Sequence, residues 1–147
     1  MSNSPTLRTA LVMATLLCLQ SSAGAQNTAD AKGAAFFESK IRPVLVKECY
    51  QCHSAEAARN KKLRGGLQLD TRDGIRKGGD GGPAVVPGDP KKSLLLAAMR
   101  HDPAVEKMPP NGKLADGVIA DFTKWIESGA TDQVFSERRR GYRFRTT

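Results

Sequence analysis

The chain reads as an all-α fold, and three observations predict it. Apolar residues recur at helical spacing from Phe36 to Leu45 and again from Val118 to Ile126. Between them, the stretch from Gly65 to Gly88 is so dense in Gly and Pro that it leaves room only for short elements. Two thiols and an imidazole, Cys49-Tyr50-Gln51-Cys52-His53, follow the first apolar stripe directly, at a spacing that one helical turn brings together.

The N-terminus carries Arg8, then the apolar run Ala10 to Leu19, then Ala23-Gly24-Ala25, a cleavage signature. This is the pattern of a secretory signal peptide over residues 1–25. The run is 10 residues long, about half of the ~20 that a membrane span needs. Cys18 lies inside that run behind bulky Leu17, which does not suit a lipid anchor. Removal of 25 of the 147 residues leaves 122, enough for one core. The protein is therefore expected outside the cytoplasm, periplasmic or secreted. Residues 26–32, small and polar, read as a mobile leader, and a single domain is expected over 33–130.

Within that domain, Phe36, Phe37, Ile41, Val44 and Leu45 form one apolar stripe, with Pro43 set to kink the helix or start a second one. Leu67-Gln68-Leu69 alternates and Ala84-Val85-Val86 is a short apolar run, so the glycine-rich segment is expected to hold a wrapped loop or a small hairpin. It contains no phosphate-cradling pattern. Asp89-Pro90 reads as the N-cap and first residue of a helix that continues through Leu94, Leu95, Leu96 and Met99 and ends near His101-Asp102-Pro103. The last helix is expected from Asp116, with Val118, Ile119, Phe122, Trp125 and Ile126 on one face and Gly129 as its stop. Trp125 is assigned to core packing.

The chemistry sits in C-x-x-C-H. Two thiols one turn apart can each add to a vinyl group on one edge of a porphyrin, and the following imidazole can then reach the iron, so the motif reads as a c-type haem site with Cys49, Cys52 and His53 as its residues. Loss of Cys18 with the leader leaves only these two cysteines, too few for a disulfide framework. A zinc site would need four well-separated ligands. A dithiol oxidoreductase would need a βαβ setting, which is missing. There are no paired carboxylates or nucleophile-base pairs, so no catalytic residues are assigned.

A haem held by His53 has a second axial position, for which Met108, Met99, His101 or an open site are the candidates. Met108 lies in Lys107-Met108-Pro109-Pro110-Asn111-Gly112, where the prolines fix the backbone, and a weakly binding thioether benefits from a rigid loop. Met99 sits among leucines and reads as core. A His and Met pair raises the potential and closes the iron to substrate, which points to outer-sphere electron transfer rather than an enzyme. An open or displaceable sixth position would point instead to a haem enzyme or sensor.

The formal charge is +8, of which Arg8 leaves with the leader to give +7. The basic segment Arg59-Asn60-Lys61-Lys62-Leu63-Arg64 follows the haem motif closely, and positive charge beside a redox centre steers an acidic redox partner. The tail over 131–147 carries Arg138, Arg139, Arg140, Arg143 and Arg145 against Asp132 and Glu137, a net +3. It is expected to be disordered, or to contact an anionic membrane surface with Tyr142 and Phe144. Export makes nucleic acid an unsuitable partner.

With these parts in place the sequence resembles the planctomycete-type cytochrome c domain. The resemblance is carried by Ile41-Arg42-Pro43-Val44-Leu45, Cys49 to His53, Gly66-Leu67-Gln68-Leu69-Asp70, Lys77 to Gly88, Ser93-Leu94-Leu95, Met108-Pro109-Pro110 and Trp125 to Ala130. It implies a cytochrome c-like helical domain around one covalent haem c, with proximal His53 and distal Met108. Such domains usually stand at the N-terminus of much larger exported proteins, whereas this chain stops at Thr147. Ala115 stands where a serine commonly caps the last helix, leaving Asp116 to take over the cap. The expected function is that of an exported mono-haem c-type cytochrome.

Overall fold

A computed structural model describes residues 31–132. The expected signal peptide, most of the leader and the arginine-rich part of the tail lie outside the described residues. Of the leader expected over 26–32, only Ala31 and Lys32 are described, and both are helical.

The architecture is helical, and no strand occurs among the described residues. Residues 33–36 are helical and run into a π-helical turn, Phe37–Ile41. Then come α1 (Arg42–Glu48), α2 (Ala55–Arg59), α3 (Arg72–Lys77), α4 (Leu94–Arg100) and α5 (Asp116–Glu127). No helix among the described residues is long and apolar enough to cross a membrane.

Pro43 explains the first irregularity. It has no N–H to offer the carbonyl four residues back, so the α ladder cannot pass unbroken. The chain widens by one residue instead: the Arg42 amide donates to Phe37 O, five positions back, and α1 restarts with Pro43 near its N-terminus. Both helical pieces keep their apolar side inward, and Phe37, Ile41 and Leu45 are all at most 3% exposed. Burying each of these side chains is worth about 1.5–3 kcal/mol.

That stripe packs on α5, which also packs on α4. Trp125, 1% exposed, lies with its ring centroid 5.4 Å from Phe37 and 6.1 Å from Phe122, the latter edge-on. Its indole Nε1–H donates to Thr131 O at 2.9 Å, so the one polar atom of the largest core side chain is satisfied. The core role expected of Trp125 is what the structure has.

Two local expectations are corrected, and one between alternatives is decided. The helix expected from Asp89-Pro90 begins only at Leu94. Asp89 Oδ1 accepts the amides of Lys91 and Lys92 in a turn, while the buried Ser93 hydroxyl accepts from Val86 N–H at 2.9 Å and donates to Asp89 O at 2.8 Å. Those bonds hold residues 89–93 out of helical register. Asp116 does not cap α5 either: Ala115 is the N-cap with no side-chain bond, and the Asp116 carboxylate is taken by Lys113 Nζ at 2.9 Å. Of the wrapped loop and the small hairpin expected for the glycine-rich segment, the structure has the loop, with an isolated bridge between Gly79 and Gly82. The two apolar runs do not pair with each other, because their amides are used elsewhere: Leu69 N–H goes to His53 O and Val85 N–H to Ile75 O.

Two short helices escaped the sequence reading. Ser54 caps α2, its hydroxyl accepting from Ala57 N–H at 3.0 Å, and Thr71 caps α3 through Gly74 N–H at 3.0 Å. At 5 and 6 residues, both are too short to show a period, and Gly74 inside α3 reads as a breaker.

Candidate functional site

The C-x-x-C-H motif forms the turn that links α1 to α2. Cys49 is the C-cap of α1, its amide on Leu45 O at 3.0 Å. The amides of Cys52 and His53 then both fold back onto Cys49 O, at 3.1 and 3.0 Å, which brings both thiols and the imidazole onto one compact turn. The turn is held from outside by the returning chain: Arg64 N–H donates to Cys52 O (3.1 Å), Leu69 N–H to His53 O (2.8 Å), and the Asp70 carboxylate accepts from Ala55 N–H (2.8 Å). Both thiols are free and half-buried.

Beside this turn lies a cavity of about 630 Å³, within the ~300–1,000 Å³ typical of cofactor and ligand sites. Cys49 and His53 are on its wall, and so is Met108. Cys52 is not; its carbonyl accepts the Arg64 amide. The remaining lining is mostly apolar, with Leu67, Leu69, Leu94, Leu95 and Val105 among it. The structure therefore brings three of the four expected haem residues to one cavity and leaves the fourth beside it.

Each wall has a local cause. Met108 is placed by its amide, which donates to Ala98 O at 3.1 Å and so ties the proline loop to α4. Met99, on the same helix, is 3% exposed and belongs to the core as expected, but it also lines the cavity. His101 does not line it. It ends α4 in the left-handed conformation (φ 61°), with Nε2 buried and without a partner.

The glycine-rich segment forms a wall made of backbone. Asp80 N–H donates to Gly65 O at 2.9 Å, joining the two loops where Gly65, Gly79, Asp80, Gly81 and Gly82 line the cavity. A Cβ on Gly79 would stand 2.1 Å from Gly65 O, and one on Gly78 would stand 1.7 Å from Gly82 O. Only glycine lets the loops cross this closely.

The electrostatics are one-sided. Glu48, Asp80 and Glu106 line the cavity, and among the described residues no Lys or Arg does. Burial first, and the Glu48 charge second, push the Cys49 thiol up to about 12. Nothing in the sequence marked these carboxylates as neighbours, because they come from three separate segments.

The residues present fit a c-type haem. His53 Nδ1 is buried with no hydrogen-bond partner among the described residues, and the cavity His53 lines has Cys49 on its wall and Cys52 beside it. A glycine wall with no room for side chains is what the edge of a flat ring needs. The zinc alternative lacks a ligand set, since no three His, Cys, Asp or Glu side chains converge as a metal site among the described residues.

Comparison with known proteins agrees. Neither a curated protein nor a solved structure matches the chain. Its residues 49–112, from the first thiol through the Met-Pro-Pro loop, match the family model described as Planctomycete cytochrome C, as the sequence resemblance implied.

Proposed function

We propose that the protein is an exported mono-haem c-type cytochrome that carries single electrons, with haem attached at Cys49 and Cys52 and iron held between His53 and Met108. One observation carries the reading: Cys49 and His53 of the motif and Met108, more than fifty residues further along, line a single apolar-walled cavity. Haem bound there supplies a one-electron iron couple. The chain's own part is to attach the ring, orient it and keep water away. His53 is oriented by the turn that folds onto Cys49 O, and Met108 by its bond to Ala98 O. The leucines exclude solvent, which favours electron transfer with little reorganisation over chemistry on a bound substrate.

The leader pattern of residues 1–25 supports export, which suits a protein whose two thiols are consumed by the cofactor. The test is expression together with haem-attachment machinery, followed by denaturation and by oxidised-state spectroscopy. Haem that stays with the denatured chain and a sulfur-to-iron band are the expected results. Covalent haem without that band would favour the enzyme or sensor reading, with a displaceable sixth ligand.

A further inference from the structure

The charges around the haem motif are sorted by place. Among the described residues, the charged side chains that line the cavity are all carboxylates, Glu48, Asp80 and Glu106. The flank beside Cys52 carries the opposite sign: Arg59, Lys61, Lys62 and Arg64 are all exposed, and among the described residues none makes an ion pair. This flank is fixed in shape. Lys61 N–H bonds Ala58 O, Lys62 N–H bonds Ala57 O at 2.8 Å, and Arg64 N–H bonds Cys52 O at 3.1 Å. Lys61 sits in the left-handed region (φ 55°), a conformation a lysine adopts only when its surroundings impose it. Four cations without an ion pair among the described residues are thus held on a turn whose Arg64 amide bonds the second cysteine of the motif, Cys52.

We infer that the Arg59–Arg64 turn is the docking surface for a redox protein whose electron-exchange face is acidic, and that electrons cross at the Cys52 side of the site. This rests on the haem reading above and adds to it the partner's chemistry and the side it uses. Unpaired exposed cations gain from a carboxylate-rich partner without first breaking internal pairs, and their field speeds encounter. In the exchange, one electron leaves the ferrous iron and one oxidant centre gains it, with no proton moved.

The test uses the reduced holoprotein and two oxidants of opposite charge, hexacyanoferrate(III) and tris(phenanthroline)cobalt(III). The double variant Lys62→Glu with Arg64→Glu should slow the anionic oxidant about tenfold at low ionic strength and speed the cationic one. The milder Lys61→Gln with Lys62→Gln should fall between. A control of equal charge change, Lys40→Glu with Lys91→Glu, should alter either rate less than about twofold, and added salt should erase the differences. Equal effects in flank and control variants, or no effect in either, would overturn the proposal. Loss of binding to anionic phospholipid vesicles with unchanged rates would overturn it in favour of a membrane surface. A chain without covalent haem would instead remove the reading of the site itself.

Discussion

The Met108 amide donates a hydrogen bond to the Ala98 carbonyl at 3.1 Å, and this bond decides where the second axial candidate stands. Residue 98 belongs to a packed helix, so a loop residue ten positions further on inherits the rigidity of the core. The loop that carries the thioether is thus tied to the helix through its backbone. Substitution of the Met108 side chain should therefore change the iron and leave the fold.

Glu48 should set the potential of the bound iron. It lines the cavity, its side chain is 28% exposed, and its only ion-pair partner among the described residues is Lys47 at 3.0 Å, itself 82% exposed. A carboxylate held near the iron favours the ferric state. Glu48→Gln is expected to raise the midpoint potential, and Glu48→Asp to leave it close to the wild type, both read by redox titration of the holoprotein. A Glu38→Gln control, outside the cavity, should not shift it.

The glycine wall gives a sharp contrast among substitutions. Gly79→Ala drives a methyl into Gly65 O and must part the loops, at about 1–3 kcal/mol. Gly117→Ala meets nothing within 4 Å and lies inside α5, so it should stabilise by roughly 0.5–1 kcal/mol. Denaturant unfolding of the two holoproteins measures both. Equal effects at the two positions would contradict the close crossing.

How much of this was legible in the sequence depended on the range over which each signal acts. C-x-x-C-H, the α5 stripe and the Trp125 core position are local patterns, and the structure has them where the spacing put them. The start of α4 was misread because Asp89-Pro90 has the right residue types for a cap, and only the buried Ser93 hydroxyl, bonded to Val86 and Asp89, shows that the chain turns there. The cavity was legible only as scattered parts. That Cys49 and Met108 share a wall depends on the Met108–Ala98 bond, and that Glu48, Asp80 and Glu106 meet there depends on the loop crossing at Gly65 and Gly79. Neither leaves a trace in periodicity.

Trp125 should be the most costly core position to empty. Trp125→Ala removes a side chain that is 1% exposed and packed on Phe37 and Phe122, a change worth about 3–5 kcal/mol. Trp125→Phe keeps much of the packing but strands the Thr131 carbonyl, at about 1–3 kcal/mol. Thermal or denaturant unfolding ranks the pair, and an inverted order would contradict the packing described.

The Cys49 thiol offers a pH test on the reduced chain before haem is attached. Its folded pKa, about 12, lies above the ordinary value of 9.0, so between those values the unfolded chain has lost a proton that the folded chain retains. Stability should then fall as pH rises above 9, Cys49 contributing at most ~1.4 kcal/mol per pH unit; between pH 9 and 10 the fall should vanish in Cys49→Ser, whereas above 10 Tyr50, which burial likewise pushes up to about 12, keeps part of it. Alkylation at pH 8 should likewise label Cys49 more slowly than an exposed thiol, as peptide mass spectrometry would show.

The central claim is that His53 and Met108 hold the iron between them, and the spectrum and midpoint potential of Met108→Ala holoprotein test it most directly. The account predicts that haem remains covalently attached, that the sulfur-to-iron band of the oxidised state disappears and that the potential falls, while Met99→Ala keeps both the band and the potential. An unchanged oxidised spectrum and an unchanged potential in Met108→Ala would contradict it.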